Sequence, residues 1–341
     1  MTAEIRSHAS QVDVPSRADD GHSDRTSQES RIENASRRKV FAPRYWALWF
    51  LLGICWLATW LPMRTQHWLG RAVARVIFKI APRRKRVIEK NIDLAFPELS
   101  DAECKALVQD TIASFGMTIT DTLFVWMRGI EPLIDRVKIS GLDHLTRKDG
   151  DESRGTVILG AHFASLDLVA AALSRKCAFG ATYRRAHNPV IDLVCQRSRQ
   201  RYYDQMLEAN RLRLLAHSLR NGRIVWFAAD QDMGNRKSTC FVPFFGVDTS
   251  TVVTPFRLAR ATGARVVFMS HRRNTEDLTW ELTLTPVQLA SESDPQCSSK
   301  DARNVNKLIE DAVRREPSQY FWVHRRFKSM ANGSRRDYKT A

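Results

Sequence analysis

A chain of 341 residues, 43% of them apolar and with nine tryptophans and sixteen phenylalanines, can fill a core; a folded protein is expected, as one large α/β domain or two small ones. The formal charge of +16 is unevenly spread: residues 1–39 hold seven Lys/Arg and seven Asp/Glu, whereas residues 64–90 set nine basic residues against Glu89 alone. Such a patch suits nucleic acid, anionic lipid or an acidic carrier protein, and the lack of a zinc finger, an RNP signature or a helix-turn-helix pattern argues against nucleic acid.

Residues 1–39, rich in Ser, Asp, Arg and Gln, have the composition of a disordered tail. The next segment, 40–63, contains nineteen uncharged residues from Tyr45 to Met63. At about 1.5 Å per residue such a run nearly spans a hydrocarbon core of about 30 Å. It starts late and lacks a small-residue cleavage site, unlike a signal peptide. Its four tryptophans (Trp46, Trp49, Trp56, Trp60) fit an interfacial anchor better than a buried core helix. Six Lys/Arg flank it on each side within about twenty residues, so the charge rule gives no orientation.

Residues 64–90 read as a basic amphipathic segment at a membrane surface. Trp68, Leu69, Ala72, Val73, Val76, Ile77 and Ile80 recur at helical spacing, with Arg71, Arg75 and Lys79 beside them. The pattern stops at Pro82 and runs into Arg83-Arg84-Lys85-Arg86, a set of cations suited to lipid phosphates. Ser100 with Glu103 three residues later signals the start of a helix reaching about Trp126.

From there to residue 330 the pattern alternates. Strand-like runs are expected at 156–161, 180–184, 223–229, 264–270 and 279–285, with helices near 166–176, 189–206, 209–220, 251–262 and 300–315. This order predicts an α/β domain over 91–330 with a mixed, mostly parallel central sheet flanked by helices, followed by a flexible tail at 331–341. The six cysteines (Cys55, Cys104, Cys177, Cys195, Cys240, Cys297) are dispersed, with neither C-x2-C nor metal spacing, and read as reduced structural thiols.

His162 and Asp167 bracket the chemistry of the segment that follows the first of those strands. A five-residue offset turns about 500° in an ideal helix, so the two share no helical face. They meet if His162 sits in the strand-to-helix turn and Asp167 in the first helical turn. Asp167 would then accept from one imidazole nitrogen and leave the other free as a base. A serine hydrolase is disfavoured, because no G-x-S-x-G elbow is present and Ser165 lies inside the H-x4-D segment.

Six motifs follow in order: Lys90-Asn91-Ile92-Asp93-Leu94-Ala95-Phe96-Pro97-Glu98, Gly160-Ala161-His162-Phe163, Tyr183-Arg184-Arg185 with Asn188-Pro189, Trp226 to Asp232, Phe241-Val242-Pro243-Phe244-Phe245-Gly246, and Phe321-Trp322-Val323-His324-Arg325-Arg326-Phe327-Lys328. From about Arg44 to Lys328 the chain resembles the bacterial lipid A biosynthesis acyltransferases. These are the late, or secondary, lauroyl- and myristoyl-type enzymes of the H-x4-D/E lysophospholipid acyltransferase-like superfamily. The resemblance implies an enzyme on the cytosolic face of the bacterial inner membrane. It would move a fatty acyl group from acyl carrier protein to a hydroxyl of a 3-hydroxyacyl chain on a Kdo-bearing lipid A precursor, without a cofactor.

On that resemblance His162 is the general base and Asp167 its partner. Arg184, at the family's Tyr-Arg position, is expected to hold a lipid phosphate or the developing oxyanion, and Asn188 in the same segment is expected to touch substrate. Asp230 and Asp232 read as loop structure or acceptor contacts more than as a catalytic pair. Arg325 and Arg326, with His324 and Lys328, read either as a substrate-phosphate site or as a basic face near headgroups. Lys328 is followed by Ser329-Met330-Ala331, where family members often carry a proline a few residues on. The alternatives are an H-x4-D acyltransferase for a glycerophospholipid or aminolipid, and a non-catalytic membrane-surface protein. Acyl-chain length is not legible, since one methylene is worth only about 1–3 kcal/mol.

Overall fold

The computed structural model describes residues 40–145, 155–183, 185–208 and 211–338. The tail expected over 1–39 lies outside the described residues. The chain divides after Leu51. In the first unit the Phe41 and Trp49 rings stack at 5.3 Å, and the Trp49 indole N–H donates to the Val40 carbonyl at 2.9 Å.

The apolar run does not form one long helix. Helix α1 covers Trp46–Ala58, thirteen residues, or about 20 Å at 1.5 Å per residue. No helix of the described residues is long and apolar enough to cross a membrane. The break that follows is built by side chains: the Gln66 amide donates to the carbonyls of Thr59 at 3.1 Å and Leu61 at 2.8 Å, and Arg128 adds a bond to Thr59 at 3.1 Å. Carbonyls left over at a helix end thereby find donors inside the protein.

Helix α2 (Met63–Ile80) follows. Pro82, read from sequence as a terminator, opens a further helix, α3 (Pro82–Ala95), at a first-turn position where its missing N–H costs nothing. Helix α4 (Asp101–Arg128) starts at the expected capping box: the Ser100 N–H donates to Glu103 at 2.8 Å, and the Glu103 N–H donates back to the Ser100 hydroxyl at 3.4 Å. Helices α2 and α4 cross with their backbones in contact. A Cβ on Gly116 would lie 2.2 Å from the Gly70 carbonyl oxygen, so only glycine fits there. The face of α2 turned to α4 is therefore mostly small and polar, with Gln66, His67, Gly70 and Ala74 buried beside the one large apolar side chain, Phe78. Most of its other large apolar residues point outward, Val76 at 56% and Ile80 at 78% exposure, with Trp68, Val73 and Ile77 alongside. An amphipathic helix in a water-soluble fold normally buries that stripe; here it is on the surface.

The central sheet has seven strands in the order β1-β9-β8-β2-β5-β3-β4. They are β1 (Val137–Ser140), β2 (Thr156–Gly160), β3 (Gly180–Tyr183), β4 (Met206–Glu208), β5 (Ile224–Ala228), β8 (Arg265–Asn274) and β9 (Thr279–Pro286). Every pairing is parallel except the β8–β9 hairpin, so the sheet is mixed and mostly parallel. β2 is fully buried and central, as its unbroken apolar run requires. A separate antiparallel hairpin pairs β6 (Thr239–Phe244) with β7 (Val247–Val252). The remaining helices are α5 (Leu166–Leu173), α6 (Pro189–Arg199), α7 (Leu212–Arg220), α8 (Thr254–Thr262) and α9 (Cys297–Arg315). Helix α6 stops at Arg199, short of the expected 206, because the chain there turns into edge strand β4.

The end of the chain packs back onto the fold as far as it is described. Tyr338 is buried and its hydroxyl donates to Asn91 Oδ1 at 2.7 Å, while the Asn91 amide donates to the carbonyls of Trp322 and His324 at 2.6 and 2.7 Å. Asn91, from the first of the six motifs, thus clamps the last. Of the tail expected from 331, residues through Tyr338 are described, and Tyr338 is the buried one among them. All six cysteines are free.

Candidate active site

The site lies where the parallel strands β2 and β5 end, the edge at which α/β sheets gather functional loops. The register decides which residues meet there. Gly160 of β2 pairs with Ala228 of β5, and the Ala229 N–H donates to the Gly160 carbonyl at 3.0 Å. Two residues further along each chain, His162 and Asp230 leave the sheet side by side. Gly160 has no side chain because a Cβ there would come within 2.4 Å of the Trp226 indole nitrogen, and that indole then meets the His162 ring edge-on, 6.3 Å between centroids.

Asp230 holds His162 twice. Its Oδ2 accepts the His162 backbone N–H at 2.8 Å, and its Oδ1 accepts from Nδ1 of the ring at 2.7 Å. With the Nδ1 proton directed at a carboxylate, the neutral imidazole carries its lone pair on Nε2. Burial favours a neutral carboxyl at Asp230, but the His162 charge and the hydrogen bonds from His162 outweigh it and hold the group down at about 2. For His162 burial acts against protonation, and the Asp230 charge and hydrogen bond overcome it, so its pKa lies above the ordinary histidine value. Burial, with the charge of Asp230, pushes the Tyr320 phenol well above its ordinary pKa. The His162 side chain keeps 27% of its surface open, against 4% for Asp230.

His162 is in the strand-to-helix turn and Asp167 in the first turn of α5, as the spacing demands. Asp167 does not reach the imidazole, however. Arg199 at the end of α6 takes it as a two-pronged pair, Nε to Oδ1 at 2.9 Å and Nη2 to Oδ2 at 3.1 Å. The carboxylate on the ring is Asp230, for which the sequence predicts loop structure or acceptor contacts. Strand periodicity carried the missing signal, since His162 and Asp230 each follow a strand-like run by a few residues. Nothing in the sequence singles out Arg199.

The turn is locked from behind. Ser165 adopts a left-handed backbone, φ 65°, a conformation costly for a residue with a Cβ. Its hydroxyl donates to Asp121 Oδ2 and accepts from Arg273 at 3.1 Å. Asp121, fully buried on α4, also takes His67 Nε2 at 2.7 Å and Arg273 Nη1 at 2.9 Å. Gln319 completes the cage: its amide pairs with the backbone of Arg273 at 2.8 Å in both directions, and its carbonyl accepts the Ala164 N–H at 2.7 Å. The Phe321 N–H bonds the His162 carbonyl at 2.9 Å.

The other expected site residues scatter. Arg184 lies outside the described residues. Asn188 caps α6, accepting from the N–H groups of Val190 at 2.9 Å and Ile191 at 3.3 Å. The Asp232 carboxylate is consumed by the N–H groups of Ser329 at 2.6 Å and Gly234 at 2.8 Å and by the Ser329 hydroxyl. Neighbouring arginines part company: Arg325 is exposed and covers the Tyr338 ring, while Arg326 is 1% exposed and donates to the Ser250 carbonyl, Thr251 and Asn306. A phosphate has no access to Arg326, and the contacts of Asn188, Asp232 and Arg326 are those of structural residues. Among the described residues no group of three or more His, Cys, Asp or Glu side chains is placed to hold a metal ion.

A part-exposed imidazole backed by a buried carboxylate, at the end of parallel strands and inside an H-x4-D turn, is an arrangement suited to general-base chemistry on a hydroxyl, as in an acyltransferase. Comparison with known proteins gives the same class and refines it. Residues 34–329 match the family of bacterial lipid A biosynthesis acyltransferases. The chain is 33% identical over 297 residues to the lipid A biosynthesis palmitoleoyltransferase of Escherichia coli K12, covering 87% of this chain and 95% of that one. It is 31% identical over 292 residues to the lauroyltransferase of the same organism (85% and 94%), and 27% over 303 residues to its myristoyltransferase (87% and 91%). The chain belongs to the bacterial lipid A biosynthesis acyltransferases and is an O-acyltransferase.

Proposed function

We propose that this chain transfers a fatty acyl group from acyl carrier protein to a hydroxyl of a 3-hydroxyacyl chain on a Kdo-bearing lipid A precursor, with His162 as general base. The observation that carries the mechanism is the double hold of Asp230 on His162, which fixes the tautomer and aims Nε2 outward. The acceptor hydroxyl gives its proton to Nε2, and its oxygen forms a bond to the thioester carbonyl carbon. The C–S bond then breaks and the departing sulfur takes the proton from the imidazolium, which Asp230 stabilises in the interval. Asp167, paired with Arg199, fixes the start of α5 and sets the local field on the ring; Arg184 is the candidate for a lipid phosphate.

The exposed apolar stripe of α2, with Trp56, Leu57, Trp60 and Leu61 before it, supports interfacial attachment to the cytosolic face of the inner membrane. The cations at Arg71, Arg75, Lys79, Arg83 and Arg84 would contact anionic headgroups there. The names of the relatives support the lipid A precursor as acceptor.

The test supplies purified protein with acyl carrier proteins of several chain lengths and a Kdo-bearing lipid A precursor, and weighs the lipid by mass spectrometry. A mass gain of one acyl group, lost in His162→Ala, is the expected result. Acylation of lysophosphatidate alone would replace this acceptor with a glycerophospholipid.

A further inference from the structure

Gln231 follows Asp230 in the loop after β5, and its side-chain nitrogen lies 3.2 Å from His162 Nε2. The far side of the ring fixes the sense of this bond. Nδ1 carries its proton toward Asp230, so Nε2 of the neutral imidazole only accepts, and Gln231 must present its amide N–H. That contact takes the one lone pair a general base has to offer. A hydroxyl about to be deprotonated needs the same place, about 2.6–3.2 Å from Nε2. Unlike a hydroxyl, the amide does not complete the reaction, because it is too weakly acidic to give up its proton.

We propose that Gln231 is a placeholder for the acceptor: its amide closes the basic nitrogen of His162 until a lipid hydroxyl displaces it, and so keeps water from being activated against a thioester donor bound alone. This inference rests on the reading of His162 as the base. Water in the acceptor's position would follow the same course, giving its proton to Nε2, forming the C–O bond and expelling the thiol with that proton, to leave a free fatty acid. Exchange of one hydrogen bond for another makes opening cheap when the right hydroxyl arrives. A lone water gains less, because no attached lipid holds it in place.

The charged and titratable groups around the ring are Asp230 beside it, Asp167 on α5, Arg199 on α6, His271 on β8, and His324 with Arg326 behind Asp230. They are common to the protein and to any Gln231 variant. A donor to the neutral ring favours the neutral form, so its removal must raise the His162 pKa and move the acid limb of activity to higher pH.

The test uses the full-length protein with Gln231→Ala, which opens space, and Gln231→Met, which keeps the length and loses the donor. Carbethoxylation of His162 by diethyl pyrocarbonate without substrates, followed by peptide mass, is expected to quicken about two- to tenfold in both, the worth of one net hydrogen bond. With lauroyl acyl carrier protein and no acceptor, release of free laurate should rise by a similar factor relative to transfer. Unchanged carbethoxylation together with an unchanged ratio of hydrolysis to transfer would overturn the proposal. If the unaltered protein acylates no lipid, the functional reading fails instead, and the carbethoxylation rates still decide whether Gln231 closes the nitrogen.

Discussion

Asp230 binds His162 through both of its carboxylate oxygens, one on the backbone N–H and one on ring Nδ1, so a single side chain fixes where the imidazole sits and which nitrogen is basic. Asparagine cannot reproduce this, since one end of its amide is a donor facing another donor. Asp230→Asn is expected to lower acyl transfer by about 10³- to 10⁴-fold with little loss of folded protein. The sign of its pH effect follows from the charge. Asp230 raises the His162 pKa, and the base works only when neutral, so the acid limb of any residual activity moves to lower pH. A pH–rate profile of the variant checks both.

Asp167 and Arg199 act on the ring from a distance with opposite signs, Arg199 lowering the His162 pKa and Asp167 raising it. Asp167→Ala should therefore shift the acid limb down, Arg199→Ala should shift it up, and the double variant should lie nearer the parent than either. The singles also leave a half-buried charge without its partner, so their losses in turnover should not add. A double-mutant cycle on kcat, run across pH, tests the pairing; additive losses would mean the two side chains serve separate tasks.

The sheet architecture and the position of the histidine turn were legible in the sequence, because long apolar runs and punctuating turns encode them locally. The partner of His162 was not. His162 and Asp230 lie far apart in the chain, and only the parallel register of β2 on β5 brings them together. Arg325 and Arg326 show a second kind of blindness: neighbours of one type, read as one basic cluster, face solvent and core respectively. The amphipathic spacing of α2 is legible in the sequence, but which side faces the protein depends on Gly116 across the helix crossing.

The buried group His67–Asp121–Arg273–Ser165 should be costly to break and sensitive to acid. Burial opposes ionisation of Asp121, yet Arg273, His67 and Ser165 together hold its pKa below the usual aspartate value. A depressed carboxyl contributes stability that is complete above its unfolded pKa of about 3.9 and is lost as pH falls through the folded value. Asp121→Asn is expected to lower stability by about 3–5 kcal/mol near neutral pH, leaving Arg273 buried without a counter-charge, and to flatten the acid limb of the stability curve. Thermal unfolding in detergent between pH 3 and 7 would show it.

If the outward stripe of α2 meets lipid, charge placed there should detach the protein without harming its interior. Val76→Glu combined with Ile77→Glu, both exposed, is expected to leave the melting temperature within a few degrees of the parent. Binding to phosphatidylglycerol-containing vesicles should fall by at least tenfold, read by flotation. Undiminished flotation would transfer the attachment to α1 or to the basic residues alone.

The pairing of Gly160 with Ala228 has a kinetic consequence. The base and its carboxylate are not placed by a loop that can form early; they come together only when two strands separated by three helices and two other strands have paired in parallel, a slow, entropically expensive closure. Catalytic competence is thus a reporter of long-range folding: during refolding, helical signal should return first, and acyl transfer should wait for the centre of the sheet to close.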